Sequence, residues 1–159
     1  MADFNENAGI ELSTLSPLGY ETNRENLSSL AWSFDGEYIA YVSNVFSVER
    51  YHNIGPTCLY FQSIKVGNVK QIDPHLEILV APCWSPDDKI IFITGYGGSL
   101  GPSIYKIDTQ SGKTTMVLQK TGINYFVHGV LSDGKNLILS CENVQDQTKF
   151  LVMHDLETN

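Results

Sequence analysis

Apolar residues in this chain fall in short β-branched and aromatic runs, bounded by polar and glycine-containing turns. Tyr38-Ile39-Ala40-Tyr41-Val42-Ser43, Ile90-Ile91-Phe92-Ile93-Thr94 and Leu137-Ile138-Leu139-Ser140-Cys141 are such runs. They have strand length and are too short for helices. Further strands are predicted at Leu59–Ser63, Ile104–Asp108 and Leu151–Asp155, and a fourth set at 68–72 and 114–118. Gly67 and Gly112 stand between the third and fourth strands, where a tight hairpin needs positive φ.

One phrase opens each group. It reads Trp32-Ser33-Phe34-Asp35-Gly36, then Trp84-Ser85-Pro86-Asp87-Asp88, then the eroded Val130-Leu131-Ser132-Asp133-Gly134. The copies lie about 50 residues apart, a period of repeat architectures. Each unit therefore predicts a four-stranded antiparallel meander. Such a sheet has two apolar faces and buries them only by packing against its neighbours.

The expected fold is all-β, built of three β-propeller blades. An edge strand is expected at about 10–15, with blade 1 at about 28–72, blade 2 at about 81–118 and blade 3 at about 127–159, lacking its outer strand. Small residues before the turn, Ala31, Cys83 and Gly129, suit an inner strand near the crowded axis. Trp32, Asp35, Gly36, Trp84, Asp87, Asp133 and Gly134 read as structural repeat residues. The tryptophans are expected as core anchors between blades, and the aspartates as acceptors for turn amides.

Trp-Ser-Pro-Asp-Asp, an apolar strand, then Ile104-Tyr105-Lys106-Ile107-Asp108 and a glycine turn resembles the TolB-like and WD-like β-propeller repeats. These repeats also form the propeller domain of prolyl-oligopeptidase-type enzymes. The resemblance covers roughly residues 28–159 and implies a fold, not an activity, because this fold carries many functions. The oligopeptidases catalyse in a separate α/β domain, which these residues do not contain.

Net charge is −8, which disfavours a nucleic-acid backbone or an anionic membrane as the partner. The acidic, polar start does not read as a secretory leader, no apolar stretch approaches a membrane span, and the three cysteines fit reduced thiols. The expectation is a cytoplasmic protein, in which the sequon at Asn26 is idle. No nucleophile elbow, Walker loop, zincin helix or paired CxxC occurs. Neither a cofactor nor a metal is expected: His128, near the expected axis, has no second ligand at a readable spacing. The glycine-rich 95–102 stretch precedes no helix and reads as a loop.

The loops carry more of the candidate chemistry. Phe46, Glu49, Arg50, Tyr51 and His52 lie on the long 44–57 connection, and Tyr96 and Tyr125 belong to the same face of a meander arc. Aromatic and Arg residues on loops over a rigid scaffold suit a partner-binding surface. Three blades also leave two sheet faces uncovered. The expectation is a homodimer, each copy half of a six-bladed ring, with the 10–15 strand exchanged to finish blade 3. The chain as a fragment of a longer propeller is the competing expectation. The expected function is a non-enzymatic protein-interaction scaffold. A small-molecule or glycan-binding propeller, with or without hydrolase activity, and a structural assembly subunit remain open beside it.

Overall fold

Each copy of the repeated phrase makes the same tight turn between two strands. Gly36, Asp88 and Gly134 occupy its left-handed position, with φ of 69°, 56° and 70°. Glycine accepts this conformation freely, and aspartate is among the few side chains that tolerate it. The computed structural model describes residues 24–47, 52–53, 57–97 and 101–158. Among them every regular element is a strand. They are β1 (Arg24–Trp32), β2 (Tyr38–Ser47), β3 (His52–Asn53), β4 (Cys58–Ser63), β5 (Val69–Ile72), β6 (Ile78–Trp84), β7 (Ile90–Tyr96), β8 (Pro102–Asp108), β9 (Thr114–Leu118), β10 (Ile123–Val130), β11 (Asn136–Asn143) and β12 (Lys149–Asp155).

The strands form three antiparallel sheets in chain order: β1-β2-β4-β5 with β3 added beside β2, then β6-β7-β8-β9, then β10-β11-β12. These are propeller blades, and the third has three strands among the described residues. The inner strands begin a few residues ahead of the expected blade starts, at Arg24, Ile78 and Ile123. The expected 10–15 strand lies outside the described residues.

Each inner strand carries a register shift at the same place, between Ser28 and Ala31, Val80 and Cys83, and Val127 and Gly129. A bulge bends its strand and sharpens the twist. The small residue of each copy sits just past this bend.

Two cores lie between blades. Ala40, Val42, Leu59, Phe61 and Ile72 of blade 1 meet Leu79, Trp84, Ile91, Ile93, Tyr105 and Ile107 of blade 2. Phe92 and Ile104 of blade 2 meet Tyr125, Val127, Leu137, Leu139 and Cys141 of blade 3. Period-two alternation thus feeds opposite faces of β7 to opposite neighbours: Ile91 and Ile93 toward blade 1, Phe92 toward blade 3. At the outer rim, Lys70 donates to the carbonyls of Thr109 and Gln110 at 2.6 and 2.7 Å and lies over the Phe61 ring.

Candidate functional site

The junction of blades 1 and 2 is anchored by Trp84. Its indole N–H donates to the Ala31 carbonyl at 3.1 Å. Its ring lies against Tyr38 and Phe61, with centroids 6.3 and 5.8 Å away. Beside it, the Asp88 carboxylate accepts the amides of Phe34 at 2.7 Å and Asp35 at 3.0 Å. One turn thus grips the next. Sequence reasoning missed Asp88, because Asp at a glycine position reads as turn chemistry and nothing local shows what its carboxylate reaches. The junction of blades 2 and 3 is built differently. Val130 stands where the tryptophan would be, and buried Thr94 accepts the Val127 amide at 2.9 Å.

The turn aspartates bond as expected of structural residues. Ser33 donates to Asp35 and Ser85 to Asp87, each at 2.7 Å. All three aspartates accept the amide two residues on, from Glu37, Lys89 and Lys135. In the third copy Leu131 replaces the serine, and the Asn136 side-chain amide donates to Asp133 in its place. Hydroxyl and amide donors hold the Asp35 and Asp87 carboxyls below the ordinary 3.8. A depressed folded pKa means stability that is present above pH 3.8 and lost as pH falls through the lower folded value. Asp35→Asn and Asp87→Asn are therefore expected to lower the thermal midpoint at pH 7. Their deficit against the wild type should shrink below pH 3.8. Thermal melts across pH 2–7 check this.

Trp32 does not share the role of Trp84. It is 60% exposed, whereas Trp84 is 4% exposed. The expected core anchor is corrected, and the reason is position: Trp84 faces the blade before it, and no described blade precedes blade 1. Leu30 and Phe34 beside it are exposed as well, at 62% and 56%. On the same face Tyr41, Cys58 and Tyr60 are buried, and the Tyr41 and Tyr60 rings stack at 5.3 Å. At the far end of the arc, Leu151 and Met153 on β12 are 74% and 65% exposed. His128, on β10, bonds Ser140 at 2.8 Å.

The loop face is smaller than expected. Residues 44–47 are strand, because β1 and β2 run on together, pairing Arg24 with Phe46. The short β3 then folds back onto β2, pairing His52 with Ser47. Glu49, Arg50 and Tyr51 lie outside the described residues, as do the side chains of Phe46 and His52. Tyr125 is a correction. It is buried within the core between blades 2 and 3, because β10 points it toward blade 2 opposite Cys141. Tyr96 is half-buried at the end of β7, where burial and then Glu142 push its hydroxyl pKa up.

No three His, Cys, Asp or Glu side chains converge as a metal site requires, among the described residues. Cys58, Cys83 and Cys141 are free thiols. Burial pushes the Cys83 thiol up to about 11. At pH 8 it is expected to resist iodoacetamide in the native chain and react on unfolding, since the thiolate is the nucleophile. Mass mapping of alkylated peptides checks this. Among the described residues no helix is long and apolar enough to cross a membrane.

No family model and no curated protein matches this sequence. Solved structures match its fold. TolB from Acinetobacter baumannii is 23% identical with a TM-score of 0.62, over 84% of this chain and 31% of that one. The acylaminoacyl peptidase of Pyrococcus horikoshii is 14% identical with a TM-score of 0.56, over 83% and 26%. The β-propeller domain of the Trilobed protease from Pyrococcus furiosus, described as having an open velcro topology, is 15% identical with a TM-score of 0.54, over 82% and 43%. The chain spans less than half the length of each. At these identities the likeness is one of fold.

Proposed function

We propose that this chain is a non-catalytic protein-interaction scaffold, a three-bladed arc that a second copy closes into a six-bladed ring. The observation that carries this reading is the pair of apolar ends. Leu30, Trp32 and Phe34 are open at one end, and Leu151 and Met153 at the other. A monomer rarely leaves such surface to water, and stacked repeats cover it with another repeat. A second reading, a segment of a longer propeller, is favoured by the share of the solved neighbours that the chain spans, 31% of TolB and 43% of the protease propeller.

The partner surface is assigned to the face that carries the β2–β4 connection. Arg50 and Tyr51 lead it, because Arg and Tyr dominate the energetics of protein interfaces. The experiment is a pulldown from native lysate with Arg50→Ala/Tyr51→Ala beside the wild type. The variant is expected to lose the partners that the wild type retains. Identical recovery removes this loop from the proposed surface.

A further inference from the structure

We infer that blade 3 parts from blade 2 as a unit while blades 1 and 2 stay joined, so that the arc is a fixed pair of blades with a detachable third. Both junctions lie within one chain, and the opening holds with or without ring closure.

The junction of blades 1 and 2 is fastened at its core, at its turn and at its rim. In the core Trp84 donates to the Ala31 carbonyl and lies on Tyr38 and Phe61. At the turn the Asp88 carboxylate takes the amides of Phe34 and Asp35. At the rim Lys70 donates to the carbonyls of Thr109 and Gln110.

The repeat register carries each fastening to the junction of blades 2 and 3, and there the residue present cannot make it. Val130 holds the tryptophan position and has no side-chain donor. Gly134 holds the Asp88 position and has no carboxylate. Pro86 holds the Phe34 position and has no N–H to give. Ala40 and Phe92 are matched positions, opposite Ala31 and Cys83. Their partners on the third strand are Phe61 and Lys106, whose own partners are Lys70 and Thr115. A short threonine therefore stands where the rim would need a long cation.

What holds blade 3 is the Thr94 bond to the Val127 amide and an apolar core rimmed by half-buried Cys83, Ile90, Leu118, Val130 and Val152. Two clefts open along this seam. One of about 330 Å³ is walled by Leu118, Tyr125, Cys141, Phe150 and His154. The other, of about 230 Å³, is walled by Phe92, Thr115, Met116 and Leu156. On the wall of the first, His154 Nε2 is buried without a hydrogen-bond partner among the described residues. A seam with half-buried contacts and clefts opens at lower free energy than the whole fold.

The chain carries its own reporters. Trp84 is buried at the first junction, and Cys83 and Cys141 belong to the core of the second. Iodoacetamide labelling of the full chain is followed through increasing urea, dilute enough that light scattering detects no association, with tryptophan emission recorded in parallel. Trp32, already exposed, adds a constant background. Cys83 and Cys141 are expected to label together, at a rate that rises about tenfold or more before Trp84 emission shifts. Labelling that begins only with the emission shift means one cooperative unit and overturns the opening. Labelling of Cys141 with Cys83 still protected also overturns it, because β11 then frays without the junction parting. Thr94→Val should bring the labelling to lower urea and leave the emission midpoint in place. A midpoint that moves together with the labelling overturns the separation of the two junctions. If that variant fails to fold, the wild-type comparison decides.

Discussion

Trp84→Ala is expected to destabilise the chain by about 3–5 kcal/mol. Trp32→Ala, made in the same phrase of the repeat, is expected to change monomer stability by less than ~0.5 kcal/mol. The difference comes from what each ring touches. Truncating Trp84 leaves a cavity against Tyr38 and Phe61 and strips the Ala31 carbonyl of its donor. Truncating Trp32 removes a ring that is 60% exposed. Urea unfolding of both variants, at concentrations where the chain is monomeric, checks the pair. Equal losses would contradict the unequal burial of the two rings.

Thr94→Val is the second large effect, expected at about 1–3 kcal/mol. The substitution conserves volume yet removes the hydroxyl that accepts the Val127 amide at 2.9 Å. Both residues are fully buried, so the amide is left without water or protein to bond. The loss should fall on the junction of blades 2 and 3. Native-state hydrogen exchange is expected to show faster exchange of Val127 in the variant, with the β1–β2 ladder unchanged.

The blade architecture was legible because its signals are local. Alternating apolar runs, an Asp-Gly turn and a period of about 50 residues each follow from backbone geometry within one unit. What lies between units was legible only in part: Trp84 reads as a core anchor between blades and is one. Trp32 and Trp84 sit in the same words of sequence, and only the presence of a blade before one of them decides which is buried. Tyr125 reads as a loop aromatic because it stands at the start of a strand, but the pleat turns it into the core. Asp88 and Thr94 reach across to other blades, 54 and 33 residues away in the chain, and no spacing rule records such pairings. The bulge in each inner strand is hidden for a different reason: it needs no glycine, as Ala81 at φ 54° shows.

Ring closure turns on one fact, the number of chains in the assembly. Light scattering with size-exclusion chromatography on the unmodified 159-residue chain measures it directly. Ring closure predicts a soluble species of twice 17.7 kDa that falls toward 17.7 kDa on dilution. A monodisperse, soluble species of 17.7 kDa at every concentration would contradict it.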